Sequence, residues 1–160
     1  MSGARDTNNI PRDVRVDTYG RQLMRPVDAG GADLVTPSNT STAALVTLAA
    51  AAVSGVSADQ TNPLSRGLQL NINITSITGT APTLTVTIQG KDPVSGVYYP
   101  LLTSAALAAA GLTSLTLYPG ATVAAMVAAS QVLPLTWRIS YAIAGTTPAV
   151  SATIAANMQI

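Results

Sequence analysis

The chain has 160 residues, a net charge of +1, no histidine and no cysteine, and only 9% of it is charged, against about 25% in ordinary globular domains. Without Cys or His, disulfides, thiolate chemistry and the usual transition-metal ligands are excluded. So small a net charge also excludes a field that would steer the protein onto nucleic acid or an anionic membrane.

The charges are crowded into the first 33 residues, where Arg5, Arg12, Arg15, Arg21 and Arg25 interleave with Asp6, Asp13, Asp17, Asp28 and Asp33. This segment also holds Pro11, Pro26, Pro37 and the Gly30-Gly31 pair, and it shows no sustained apolar period. It cannot bury enough apolar surface to offset its own ordering entropy. Residues 1–40 are therefore expected to form an extended N-terminal arm, or else a flexible tail, preceding a body over 41–160. Arg12, Arg15, Arg21 and Arg25, with guanidinium forks suited to carboxylates, are the candidate partner contacts. The N-terminus lacks the apolar core of a secretory signal, and the longest apolar run, residues 43–53, is far short of the roughly 20 residues of a membrane helix.

From residue 43 onward the pattern has a period of two. Leu68, Leu70, Ile72 and Ile74 alternate with polar residues, as do Leu84, Val86 and Ile88. Trp137, Ile139, Tyr141 and Ile143 form a third stripe, and Val150, Ala152, Ile154 and Ala156 a fourth. Shorter candidates lie at 44–53, 97–102 and 113–118. Such alternation marks half-buried strands, and about seven of them with Gly and Pro turns predict an all-β fold, an antiparallel β-sandwich or barrel. The alanine-rich stretches 104–112 and 120–130 could each hold a turn or two of helix.

"ITGTAPTLTVTIQG" at 77–90 and "IAGTTPAVSATIAA" at 143–156 share Ile, Gly, Thr, Pro, Thr and Ile at an offset of 66 residues. They predict two equivalent hairpins, each turning at Gly-Thr-x-Pro. Ile77 falls one residue out of phase with the 68–74 stripe, which predicts a β-bulge near Thr75 to Ile77.

Candidate chemistry in the body is sparse. Without His, a base for a serine nucleophile would have to be Lys91, an Asp or the amino terminus. The body's two carboxylates, Asp59 and Asp92, sit in separate polar turns, unlike a glycosidase pair. Lys91 and Asp92 lie in "GKDPVSG", a turn with a left-handed exit at Gly96, where Lys91 has no evident chemical partner. Tyr98 and Tyr99 should face opposite sides of a strand, one of them in the core, while Trp137 points inward and Arg138 outward. No catalytic, cofactor-binding or metal residue is expected, and the chain is not expected to be an enzyme. Small alanine-rich stripes and an uncharged surface predict a homo-oligomer, stabilised by mass action.

The stretch "TLTVTIQGKDPVSGVYYPLL" at 83–102, with "LTLYPG" at 115–120 and "VLPLTWRISYAIAGTTPAVSATI" at 132–154, resembles small β-rich structural proteins of tailed-bacteriophage virions. The resemblance spans about residues 60–156 and leaves out the arm. It implies a capsid decoration, or cement, protein that binds the major capsid protein and copies of itself, with a trimer as the candidate oligomer. Such a protein would sit on the capsid surface after assembly in the host cytoplasm. The alternative is a tail, neck or fibre-associated β-sandwich module, with carbohydrate as its candidate ligand. The resemblance assigns no role to an individual residue.

Overall fold

The computed structural model describes the backbone of residues 15–16 and 22–23, and residues 44–62 and 64–159 in full. The chain divides into two units, Met1–Ser38 and Asn39–Ile160. In the first, β1 (Arg15–Val16) pairs antiparallel with β2 (Gln22–Leu23).

The second unit is all-β, with no helix among the described residues. Its strands are β3 (Val46–Ala51), β4 (Gly55–Val56), β5 (Gln60–Thr61), β6 (Gly67–Lys91), β7 (Tyr98–Thr103), β8 (Gly111–Leu117), β9 (Ala128–Ala129) and β10 (Thr136–Gln159). They form one eight-stranded sheet in the order β3-β10-β6-β8-β9, with β4 and β5 also on β10 and β7 also on β6. Every ladder is antiparallel except β8–β9, which is parallel. The sheet is therefore mixed, and not wholly antiparallel as the alternation alone suggested.

The four apolar stripes lie on two strands. β6 runs for 25 residues and β10 for 24, and they pair from Trp137↔Gly90 to Gln159↔Gly67. The expected Gly-Thr-x-Pro hairpins do not exist. Each motif is a bend inside a continuous strand, because Gly79 (φ 125°) and Gly145 (φ 119°) turn the backbone without reversing it. Ala81 (φ 47°) and Thr147 (φ 49°), two residues further along each strand, share the left-handed region. The two bends lie against each other, with Thr80 opposite Thr146.

The echo is thus an internal pseudo-twofold centred on the Thr80–Thr146 pair. Ile143↔Leu84 and Val150↔Ile77 exchange under an offset of 66 residues, as do Ala144↔Thr83 and Ala149↔Thr78. A Cβ on Gly79 would lie 2.8 Å from the Thr147 carbonyl oxygen, and one on Gly145 would lie 2.8 Å from that of Ala81. These are reciprocal contacts between equivalent residues. Beyond the waist, the register slips between Ser76↔Ser151 and Ile74↔Ala152, leaving Thr75 as the extra residue of a bulge, at the position the sequence phase required.

The alternation sets the core. Leu68, Leu70, Ile72, Ile74, Leu84, Val86, Ile88, Trp137, Ile139, Val150 and Ile154 are all buried and belong to a single cluster that takes residues from both sides of the waist. Tyr141 and Ile143, expected in the same stripe, are only partly buried at its margin.

The alanine-rich stretches hold no helix and instead stay extended or turn. Leu84 and Leu107 exchange backbone bonds of 2.9 Å in both directions. At 120–130 the chain turns back, with Ala128 N–H donating to the Ala124 carbonyl, and places Ala128 and Ala129 beside Thr116 and Leu117.

Two buried serines extend the ladders where backbone partners are missing. Ser57 donates its N–H to the Ile139 carbonyl while its Oγ accepts the Ile139 N–H. Ser104 does the same with Val86. Each hydroxyl then donates to the next residue's carbonyl, so neither buried oxygen is left unpaired.

Candidate functional site: a polar cluster at one end of the ribbon

Three of the five charged residues of the body meet at one place. On an antiparallel pair, residues two apart share a face, so Gln89 and Lys91 of β6 point the same way. Arg138 of β10 lies opposite Gln89, and Tyr98 of β7 lies opposite Lys91. Asp59, between β4 and β5, completes the group.

The geometry is a relay. Lys91 Nζ is 2.9 Å from Asp59 Oδ2, and the Tyr98 hydroxyl donates to the same carboxylate, 2.7 Å from Oδ2. The Arg138 guanidinium stacks over the Tyr98 ring with its central carbon 3.4 Å from the centroid. Its Nε donates to Gln89 Oε1 at 2.9 Å. Lys91 is also 5.2 Å from the Tyr98 ring centroid, so one aromatic ring serves both cations.

The electrostatics follow from these contacts. The Tyr98 hydroxyl, and after it the Lys91 ammonium, hold the Asp59 carboxyl below its ordinary pKa. The Asp59 carboxylate raises Lys91 above the usual lysine value. Asp92 is lowered separately, first by the Ser95 backbone N–H, then by the Ser95 hydroxyl and the Val94 N–H. These bonds shape the loop after Lys91, which Gly96 (φ 70°) closes. The expected turn with a left-handed exit is present.

Two expectations need correcting here. Lys91 does have a partner, for Asp59 lies 32 residues away in sequence and no local pattern announces it. Neither Tyr98 nor Tyr99 is a core residue: Tyr98 is half-buried in the cluster, and Tyr99 is exposed, its ring lying over Gly90 beside Pro134. Trp137 is buried and Arg138 half-exposed, as their adjacency required. The indole Nε1 of Trp137 is a buried donor without a partner.

None of the arm's candidate contacts has a described side chain. Arg12, Arg21 and Arg25 lie outside the described residues, and Arg15 is described only as backbone of β1. Among the described residues no three His, Cys, Asp or Glu side chains gather as metal ligands. No described helix is long and apolar enough to cross a membrane.

Chemically, the cluster is built to hold cations in place. Its only carboxylate is taken up by a lysine and a tyrosine, and its arginine is oriented by an amide and a ring. No family model matches the chain, and no curated protein and no solved structure matches it.

Proposed function

We propose that the protein is a structural component of a tailed-phage virion, a capsid decoration protein that binds the major capsid protein and stabilises the shell across subunit seams. Its role is non-catalytic and needs no cofactor. The β6–β10 ribbon folds at its waist, so that its two halves lay their apolar faces together as the layers of a sandwich. A single core fed from both halves supports that arrangement.

The observation that carries the functional reading is the surface of the body. Apart from the cluster at one end, Asp92 in the loop beside it and an exposed Arg66, it presents hydroxyls, amides and well-exposed apolar side chains such as Val53, Leu64 and Leu135. Such a surface suits broad contact with neutral protein better than recognition of a charged ligand. Self-association into a homo-oligomer, with a trimer as the candidate, uses the same property. The resemblance of residues 60–156 to virion proteins supplies the setting, the capsid surface.

Mass spectrometry of separated phage heads and tails tests the assignment. The protein is expected in the head fraction, and heads lacking it should lose DNA at lower temperature. Its recovery with tails or fibres would instead favour the tail, neck or fibre alternative.

A further inference from the structure

Arg138 is the only member of the polar cluster whose charge is not neutralised within it. Asp59 is engaged by Lys91 and Tyr98, and no described carboxylate lies within ion-pair distance of Arg138. Yet the guanidinium is held on two sides, by the Tyr98 ring at 3.4 Å and by Gln89 at 2.9 Å. Stacking and the Nε bond fix the plane of the fork and leave its terminal nitrogens without a described partner. An arginine in this state has already lost the side-chain freedom that usually weakens an exposed ion pair.

We propose that Arg138 is the anchor of a carboxylate-binding site, filled by an aspartate or glutamate side chain of the protein on which this body docks. For the nature of the partner, this rests on the decoration reading above. The planar fork matches a carboxylate in bidentate geometry. With Lys91 and Asp59 offsetting each other, Arg138 leaves one unmatched positive charge, which a carboxylate monoanion balances and a phosphate dianion exceeds. Nucleic acid is disfavoured because a polyphosphate needs several cations along its path, and the whole chain has a net charge of +1.

The surroundings resemble a binding hot spot, with a stacked Arg–Tyr pair inside an apolar rim. Val56, 52% exposed, pairs with Ser140, which shares the outward face with Arg138. Val94 and Val97 stand exposed in the loop between Lys91 and Tyr98. Closing such a rim against a partner lowers the local dielectric and strengthens the charged contact it encloses.

The test uses the full-length protein, with arginine side-chain NMR during titration by N-acetyl-aspartate α-methylamide, whose only carboxylate is the side chain, or by inorganic phosphate at constant ionic strength. The aspartate amide is expected to shift the Arg138, Gln89 and Tyr98 side-chain signals saturably and to bind more tightly than phosphate. Arg138→Gln should abolish the response. Arg138→Lys, which keeps the charge and loses the fork, should weaken it about fivefold. A response that does not saturate, or that survives in Arg138→Gln, overturns the site. Equal binding by Arg138→Lys overturns the fork geometry, and tighter binding of phosphate overturns the assignment to a protein carboxylate. The two readings fail separately. A protein that binds the aspartate amide at Arg138 but is absent from heads sinks the decoration reading alone, and a head protein without the titration response sinks the site alone.

Discussion

The two halves of the β6–β10 ribbon are built alike and finished differently. Residues 83–90 paired with 137–144 make one half, and 67–77 paired with 150–159 make the other. At the waist the equivalence extends to individual dihedral angles. Farther out, once the Thr75 bulge is allowed for, Trp137 occupies the position of Leu70, since each pairs with a residue of the other repeat, Gly90 and Ala156. Likewise Arg138 matches Asn71, opposite Gln89 and Ala155 respectively. In one half that outward position stacks a guanidinium on Tyr98. In the other it accepts the Ser114 hydroxyl at 2.7 Å. The waist is constrained by backbone against backbone, where no side chain can be traded. The outward faces are constrained only by the alternation, so one of them could acquire a charged cluster without disturbing the frame.

The largest effect should come from the waist. Gly79→Ala or Gly145→Ala places a Cβ against a carbonyl oxygen at 2.8 Å, on a backbone held at φ near 120°. Strain and clash together should cost about 3 kcal/mol in either variant, read as a lower urea midpoint by Trp137 fluorescence. The pseudo-twofold requires the two losses to be similar, and one full-sized loss beside a negligible one would break the symmetry. A smaller effect of opposite sign is expected two residues on. Thr147→Gly relieves left-handed strain in a β-branched residue and should stabilise the protein by about 0.5–1 kcal/mol, after allowing for the greater freedom glycine gives the unfolded chain. Ala81→Gly should stabilise it less, and a loss of stability in both would show that the bends are not strained.

Much of this frame was legible in the sequence, because burial on strands has a strict period. The four stripes, the phase slip at Thr75 and the echo could each be read directly from residues 68–156. The meaning of the echo could not. Gly-Thr-x-Pro serves a hairpin and a bend equally well, and only the partner strand decides between them. The cluster was illegible for a different reason. Lys91, Tyr98 and Arg138 carry the right alternation, but their convergence with Asp59 depends on β4 and β5 lying beside the start of β10, two pairs of only two residues each. Ser57 and Ser104 were missed likewise, since a serine standing in for a backbone acceptor leaves no periodic trace.

The smallest effect belongs to the charged end, and it tests whether Tyr98 or Lys91 is the stronger support of Asp59. A carboxyl whose folded pKa is depressed contributes stability above its unfolded pKa and loses it as pH falls through the folded value. A lysine whose folded pKa is raised contributes stability below its unfolded pKa and loses it as pH rises through the folded one. Asp59 and Lys91 therefore place a shallow maximum in Tm between the acidic and alkaline ends. Asp59→Asn should flatten both flanks, leaving on the acid side the part due to Asp92. Lys91→Met should remove the alkaline fall yet keep most of the acid one, because the Tyr98 hydroxyl still holds the carboxylate. Tyr98→Phe should blunt the acid fall more than Lys91→Met does. Melting curves of the three variants from acid to alkaline pH decide the order, and a larger acid-side change in Lys91→Met would make the ion pair, not the phenol, the support of the cluster.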